Sequence, residues 1–258
     1  MKDSLWVRKF LVGVGCVALG LLGGLVPTVA QHKNFFGKID ISRGITVPNS
    51  DEDTVYWANK IASGQGKYIL WFRHGEREKW TGTVTVFDFF DTQRKYGKFE
   101  TNWKPAVCLT DKGIAESQIV GKTFSVLKIR VSTIVSSPSC RAKETALLAF
   151  NRIDYEWLEV LHPTALTVED QILFKNKLKN KLDNLVAKTN WNQGVIVVTG
   201  HGNTLPFYKD TLFYKTEVKD WAMNELGFTV IEVTKDGLIA RHTFIDFYEF
   251  ANAVLKFS

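Results

Sequence analysis

The ten residues 67–76, Lys-Tyr-Ile-Leu-Trp-Phe-Arg-His-Gly-Glu, constrain the fold of this chain more than any other stretch. Residues 68–72 are apolar and β-prone, and the breaker sequence Ser-Gly-Gln-Gly precedes them at 63–66. Because five apolar residues are too few for a buried helix, they predict a buried central strand. Arg-His-Gly follows at 73–75, at the strand's carboxyl end, where open α/β sheets have their ligand crevices. The stretch therefore predicts a central strand that ends in a ligand site.

Strand and helix patterns alternate along the rest of the chain. The other predicted strands are residues 131–135, 153–157 and 194–199, and a hairpin of 228–234 and 238–244 that turns at Asp236-Gly237. Helices are predicted from near Ser50, Thr110, Ser139, Thr167 and Asn203, and a short helix closes the chain. Strands that alternate with helices form a mostly parallel sheet covered on both faces. We therefore expect a three-layer α/β/α fold with one antiparallel edge, supplied by the hairpin.

The first 30 residues have the pattern of a targeting segment. They have a basic start, an apolar run at 10–26, Pro27 and a small-residue ending at Ala30. This pattern is typical of a signal peptide cleaved after Ala30, which leaves residues 31–258 as a single exported domain. The alternative is an uncleaved anchor, because residues 10–30 are long enough to cross a bilayer core of about 30 Å and would attach the protein to the membrane. Both interpretations place the rest of the chain outside the cytoplasm, in the periplasm of a Gram-negative cell.

Composition and charge exclude two classes of protein. A hydrophobic content of 45% supports a packed core rather than a disordered chain. The formal net charge of +6 comes from 33 basic and 27 acidic residues, without a block of like charge or a nucleic-acid-binding module. This mild excess suits a small anionic substrate or an anionic membrane surface, and we expect no nucleic acid partner.

Two of the three cysteines lie in the predicted exported domain. Cys16 falls in the leader, whereas Cys108 and Cys140 lie beside motifs that we place at the same sheet edge. Two cysteines in an oxidising compartment can pair, and the alternative is two separate buried thiols. A disulfide between Cys108 and Cys140 is therefore a hypothesis of the sequence analysis.

Residues 77–106 form an aromatic-rich excursion after the central strand. The aromatic residues among them are Trp80, Phe87, Phe89, Phe90, Tyr96, Phe99 and Trp103. Long excursions at a catalytic edge often select the substrate. For most of these side chains, a small satellite core under a loop is the favoured interpretation.

Three predicted strand ends carry side chains suited to phosphate chemistry. Arg73 and His74 follow the first strand, Arg141 lies in the turn after the second, and His201 follows the strand at 194–199. Because the carboxyl ends of parallel strands meet at one edge, these four side chains can converge. Arginine offers forked donors that match phosphate oxygens, and a helix that begins near Ser139 adds positive potential.

These residue types supply most of what hydrolysis of a phosphate ester requires. Neutral His74 can attack phosphorus, and His201, held protonated by a bound dianion, can donate to the equatorial oxygens. A carboxylic acid is needed to protonate the leaving alkoxide and then to act as base on water. No carboxylate cluster with the spacing of a divalent-metal site stands out in the sequence, so we expect a reaction without a metal or other cofactor.

Four ordered motifs within residues 65–205 resemble those of the histidine phosphatase superfamily, which has the phosphoglycerate mutase-like fold. They are Arg73-His74-Gly75-Glu76, Leu109-Thr110-x-x-Gly113, Ser136-Ser137-Pro138-x-x-Arg141-Ala142-x-x-Thr145-Ala146 and Gly200-His201-Gly202. The resemblance implies that His74 is the phosphorylated nucleophile and that Arg73, Arg141 and His201 form the phosphate pocket. The leader, the run at 73–77 and the phrases around Cys108 and Cys140 look most like small periplasmic members, such as the lipopolysaccharide core heptose phosphatases.

The sequence departs from one branch of that superfamily at the proton donor. The acid phosphatase and phytase branch has Asp directly after the second histidine, where this chain has Gly202. The other branch places its acid after the strand that follows the Arg-Ala-x-x-Thr-Ala helix, which implies Glu159 here, with Glu156 as the rival. Arg77 is either a further phosphate donor or a surface cation.

Four further residues near or outside the motifs receive non-catalytic roles. Glu76 is expected to orient the site. No motif surrounds His32, His162 or His242, to which we assign structural or surface roles.

The favoured function is an exported phosphomonoesterase that acts through a phosphohistidine intermediate. Its substrate is a small phosphorylated molecule, with an envelope glycan or lipid phosphate as a candidate. The alternative is a non-catalytic envelope protein that binds a phosphorylated glycan or lipid in the same pocket, and this is favoured if neither Glu159 nor Glu156 faces that pocket. A protein phosphohistidine phosphatase is a third interpretation, disfavoured because the leader removes the chain from cytoplasmic signalling proteins.

Overall fold

A computed structural model describes residues 52–77, 108–163 and 167–255 of the protein. Within these ranges the chain forms six α-helices, seven strands and two 3₁₀ turns. The helices are α1 Glu52–Ala62, α2 Asp111–Val126, α3 Cys140–Phe150, α4 Val168–Lys188, α5 Thr204–Leu212 and α6 Phe247–Leu255. The strands are β1 Tyr68–Arg73, β2 Val131–Ser136, β3 Tyr155–Glu156, β4 Val195–Gly200, β5 Lys215–Thr216, β6 Phe228–Thr234 and β7 Gly237–Phe244.

The strands form one mixed sheet with the order β3-β2-β4-β1-β6-β7-β5. The half that contains β3, β2, β4 and β1 is parallel throughout. Strand β6 runs antiparallel to β1 and to β7, and the two-residue β5 pairs parallel to β7. The predicted, mostly parallel sheet is therefore confirmed, and the hairpin supplies its antiparallel part. The hairpin is not itself the edge, because β5 lies outside it.

Alternate residues of β1 pack into two separate cores, one on each face of the sheet. Tyr68, Leu70 and Phe72 pack with helices α1, α2, α3 and α6. Ile69 and Trp71 pack with helices α4 and α5 on the opposite face. Because successive strand residues point to opposite faces, a strand that is apolar at every position must be covered on both sides. This arrangement confirms the predicted three-layer α/β/α fold.

The predicted helix starts hold where the structure describes them. Thr110 and Thr167 are N-caps, and their hydroxyl oxygens accept from the N–H groups of Gly113 at 3.1 Å and Asp170 at 3.2 Å. Such a bond satisfies a donor that the first turn of a helix leaves without an intrahelical partner. Ser50, the predicted start of α1, lies outside the described residues.

The strand predicted at 153–157 is shorter than expected. Only Tyr155–Glu156 pairs with β2, and a 3₁₀ turn at Leu158–Val160 follows. The carboxylate of Asp154 accepts from the Ile134 N–H at 2.8 Å, so a side chain takes a donor of β2 that strand pairing would otherwise use.

Cys108 and Cys140 form a disulfide, which confirms the pairing hypothesis. Their Cα atoms lie 5.0 Å apart across 32 positions of sequence. The bond joins the residue before the Leu-Thr motif to the first residue of α3, next to Arg141. It therefore fastens together two segments of the predicted ligand edge.

All described residues belong to one compact unit. No helix in the described ranges has the length and apolar character needed to cross a membrane. The predicted leader at 1–30 and all of the excursion at 77–106 except Arg77 lie outside the described residues. The boundary at residue 31 stays a prediction.

Removing the disulfide should destabilise the fold. We expect the double variant Cys108→Ser with Cys140→Ser to lose about 4 kcal/mol of unfolding free energy. The reason is that the bond joins residues 32 positions apart and so restricts the conformations of the unfolded chain. Urea unfolding of the oxidised protein and of the variant measures the difference. Dithiothreitol should destabilise only the protein with both cysteines, and equal stability of the two proteins would contradict the expectation.

Candidate active site

Three parallel strands end level with one another at one edge of the sheet. Arg73 at the end of β1 is paired with Gly200 at the end of β4, and Ser136 of β2 is paired with Thr199. The pairing continues one residue beyond β1, where the His74 N–H donates to the Gly200 carbonyl at 3.0 Å. The residues that follow these strands are thus held side by side.

A cavity of ≈ 400 Å³ opens at this edge. The described residues that line it are Arg73, His74, Arg77, Arg141, His162, His201, Gly202, Asn203, Pro206, Trp221, Ala222 and Met223. None of these lining residues is Asp or Glu, whereas three are arginines. The structure therefore brings the predicted Arg73, His74, Arg77, Arg141 and His201 together in a hollow suited to an anion.

His74 is buried with one ring nitrogen committed to the backbone. The residue is only 4% exposed, and its Nδ1 lies 2.8 Å from the Gly75 carbonyl oxygen. Because a carbonyl only accepts, Nδ1 carries the proton and Nε2 keeps its lone pair. Burial and the Arg141 charge hold the pKa of His74 well below its ordinary value. The imidazole is therefore neutral and nucleophilic at Nε2.

His74 is also tied to the turn that carries Arg141. The Gly75 N–H donates to Thr145 Oγ1 at 2.9 Å, and the Thr145 hydroxyl donates to the Arg141 carbonyl at 2.8 Å. Thr145 belongs to the third motif, so its position in the Arg-Ala-x-x-Thr-Ala pattern has a structural reason. It couples the nucleophile's backbone to the first turn of α3.

Arg141 and His201 contact each other on the cavity wall. Each residue is 2% exposed, and Arg141 Nη2 lies 3.4 Å from His201 Nδ1. A guanidinium can only donate, so Nδ1 accepts and the proton resides on Nε2, which donates to Ser137 Oγ at 3.2 Å. Burial, Arg141 and His74 lower the pKa of His201 well below its ordinary value. Without phosphate the His201 ring is neutral. Donation to the phosphate oxygens in the transition state requires a protonated ring, so a bound dianion would have to raise the pKa of His201.

Arg73 is anchored from the opposite side of the cavity. Its Nη1 donates to the Met223 carbonyl at 2.6 Å, and its Nη2 pairs with Glu225 Oε1 at 2.7 Å. A Cβ on Gly202 would lie 3.1 Å from Arg73 Cδ. The position at which the acid phosphatase branch has its Asp therefore lies against the arginine side chain.

Glu76 anchors the start of α2 rather than lining the cavity. Its carboxylate accepts from Thr110 Oγ1 at 3.0 Å and from Lys112 Nζ at 2.7 Å. A Cβ on Gly113 would approach the Glu76 carbonyl oxygen to 2.1 Å, so this position of the second motif requires glycine. These contacts agree with the orienting role predicted for Glu76.

The structure does not bring the predicted general acid into the cavity. Glu159 is 5% exposed, but it is absent from the lining, and its Oε2 accepts from Lys181 Nζ of α4 at 2.6 Å. Its rival Glu156 is exposed on β3 and is also absent from the lining. The ion pair with Lys181 holds the Glu159 carboxylate toward α4. Neither predicted carboxylate is therefore among the described residues of the cavity lining, and the assignment of either as the general acid stays a prediction.

His162 is a cavity residue that the sequence analysis missed. It was assigned a structural or surface role, yet it lines the cavity with its ring centroid 5.7 Å from that of His201. Its Nδ1 lies 3.2 Å from Nδ2 of Asn203. Burial, Arg141 and Arg77 lower the pKa of His162 to about 4. The one available signal was its position three residues beyond Glu159, in the segment where an acid was sought.

One group of possible metal ligands occurs among the described residues. It consists of Cys108, Cys140 and Glu144, but the disulfide removes both thiolates, and the Leu109 N–H donates to Glu144 Oε2 at 2.7 Å. A thiolate is the form in which cysteine binds metal. This group therefore does not make a metal site in the oxidised protein.

No family model matches the chain, and no curated protein matches it. Several solved structures do. One is the protein histidine phosphatase SixA complexed with tungstate, at 14% identity and TM-score 0.44, covering 69% of this chain and 96% of that chain. A second is YhfR of Bacillus stearothermophilus, at 15% identity and TM-score 0.44, covering 72% of this chain and 100% of that chain. A third is a phosphoserine phosphatase from Entamoeba histolytica in complex with 3-phosphoglyceric acid, at 15% identity and TM-score 0.43, covering 69% of this chain and 96% of that chain.

The three cavity histidines, His74, His162 and His201, should make the phosphate-free protein sensitive to acid. The unfolded chain takes up protons at these residues below about pH 6.5, whereas the folded pocket resists them. The unfolding free energy should therefore fall as the pH falls from 7 to 5, with a slope that approaches about 1.4 kcal/mol per pH unit, below about pH 6, for each histidine that stays neutral. Urea unfolding across this range measures the slope. His162→Gln should give a shallower slope, and an unchanged slope would contradict the account.

Proposed function

We propose that this chain is a member of the histidine phosphatase superfamily that hydrolyses phosphate monoesters through a phosphohistidine formed on His74. One observation carries the proposal. A neutral imidazole with Nδ1 donating to a carbonyl oxygen, and so with its lone pair on Nε2, lines a hollow that also contains Arg73, Arg141 and His201 and has no Asp or Glu among its described lining residues. A buried histidine in an ordinary core has no reason to be surrounded by guanidinium groups.

The geometry supports a two-step reaction. Arg73, Arg77 and Arg141 bind the phosphate dianion and compensate its charge, as forked guanidinium donors do. His74 Nε2 attacks phosphorus, and the ester P–O bond breaks with its electron pair going to the leaving oxygen. His201 donates to the equatorial oxygens as charge spreads over them. Water then attacks the phosphohistidine, and the P–N bond electrons return to His74.

We further propose that the enzyme is exported and acts without a metal. The Cys108–Cys140 disulfide supports an oxidising compartment, and the leader pattern at 1–30 agrees with it. A cavity of ≈ 400 Å³ suits a small phosphorylated substrate. An envelope glycan or lipid phosphate, including a lipopolysaccharide heptose phosphate, is the candidate that export favours.

A second function is favoured by the positions of Glu159 and Glu156. Because neither carboxylate lines the cavity, a non-catalytic protein that binds a phosphorylated glycan or lipid is the competing proposal. It would use the same arginines and the same hollow. Vanadate or phosphate binding without turnover of phosphosugars, nucleotides, inositol phosphates and lipopolysaccharide phosphates would establish it in place of the enzyme.

Replacing the nucleophile should abolish hydrolysis. We expect His74→Ala to reduce turnover of p-nitrophenyl phosphate by roughly 10³-fold or more, because no covalent intermediate can form. Circular dichroism should show an intact fold. His242→Gln is the matched control, since His242 contacts Thr54 and Asp53 away from the cavity and should retain activity. EDTA should leave turnover of the unsubstituted protein unchanged. Full activity in His74→Ala would refute the proposal.

A further inference from the structure

The reaction requires a proton that the predicted carboxylates cannot deliver. An alkoxide is a poor leaving group unless it is protonated as the P–O bond breaks. Glu159 contacts Lys181, Glu156 is exposed on β3, and Glu225 pairs with Arg73 without lining the cavity. The described cavity lining has one titratable group to which no step has been assigned, namely His162.

His162 is next to His201, which in turn is next to His74. Its ring centroid is 5.7 Å from that of His201, which is itself 5.4 Å from that of His74. The three imidazoles are therefore neighbours in the cavity lining, to which Arg141 also belongs. A group that protonates the leaving oxygen must be close to the phosphate without belonging to the anion clamp, and His162 meets both requirements.

Asn203 can hold His162 in either protonation state. Its Nδ2 donates to Nδ1 of the neutral ring at 3.2 Å, which leaves the ring proton on Nε2. Among the described residues, the Asn203 Oδ1 atom is buried without a hydrogen-bond partner. Turning the amide by half a rotation would place this oxygen at Nδ1, where it would accept from the N–H of an imidazolium. Protonation of His162 would thus give Asn203 Oδ1 a hydrogen-bond donor.

The charges around His162 couple its protonation to substrate binding. Burial, followed by the charges of Arg141, Arg77 and Arg73, lowers the pKa of His162 to about 4 in the phosphate-free pocket. Among the described residues, the His201 ring also faces His162, with the two ring centroids 5.7 Å apart. A phosphate dianion offsets the arginine charges, so the pKa rises when the substrate binds.

We infer that His162 protonates the leaving oxygen of the substrate and then takes a proton from the water that hydrolyses the phosphohistidine. The substrate enters as its monoanion and passes its proton to His162, so that the arginines hold the dianion. His74 Nε2 then bonds to phosphorus, and the leaving oxygen takes the bond electrons together with the proton of His162. In the second step water adds to phosphorus, its proton goes to His162, and His74 is released. This inference rests on the proposed phosphatase function.

The leaving group provides the decisive test. Nitrophenolate leaves without protonation, whereas an alkoxide does not, so His162→Gln should lose about 100-fold in kcat/KM on glycerol phosphate and less than about 5-fold on p-nitrophenyl phosphate. Glu159→Gln and Glu225→Gln are matched controls that should change both substrates alike. Equal losses on both substrates in His162→Gln, no loss on either, or the selective loss in a control variant instead would overturn the inference.

A second variant guards against a purely structural effect. In His162→Ala, added imidazole should restore at least part of the glycerol phosphate activity, since a diffusible imidazole can carry the same proton. No rescue in a variant that still binds vanadate would overturn the role. An unsubstituted protein that hydrolyses neither substrate would refute the proposed function itself, and the assignment of His162 with it. If the unsubstituted protein is active and His162→Gln hydrolyses both substrates at the unsubstituted rate, only the assignment of His162 is refuted.

Discussion

The register between β1, β4 and β2 is the constraint on which the site depends. Arg73 opposite Gly200 and Ser136 opposite Thr199 bring three strand ends level, although more than 120 residues separate the first from the last. A shift of one residue in this register would send every following side chain to the other face of the sheet. Because β1 and β4 are apolar on both faces, the fit of their side chains into the two cores opposes such a shift, rather than an alternation of polar and apolar residues. Core packing thus positions the polar site.

The same packing lets uncharged imidazoles coexist with three arginines. His74 and His201 are almost fully buried, and desolvation is the largest cause of their lowered pKa values, ahead of the neighbouring charges. Three more cations in this hollow would repel the arginines without screening by water. Neutral rings avoid that repulsion and keep a lone pair for attack. The site is therefore charged enough to draw in a phosphate, yet its nucleophile stays unprotonated.

The fold and most of the site could be predicted because local patterns determine them. The apolar run of β1 stops at Arg73, and motif spacing places Arg141 in the first turn of α3, so topology alone makes these residues converge with His201. The general acid could not be found in this way. Glu159 lies in a short turn after a two-residue strand, where neither periodicity nor register fixes the direction of a side chain. The contact with Lys181, 22 positions later, decides that direction.

A histidine suits this cavity better as a proton donor than the carboxylate predicted from the sequence. An ionised carboxylate among Arg73, Arg77 and Arg141 would pair with them and compete with the phosphate for the same donors. Arginine neighbours also favour the ionised form of a carboxyl group, which has no proton to give. A histidine behaves in the opposite way, because burial and the arginines keep it neutral until an anion binds, and the anion then favours its protonated form. In an arginine-lined pocket, histidine is therefore the side chain whose proton becomes available when the substrate is present.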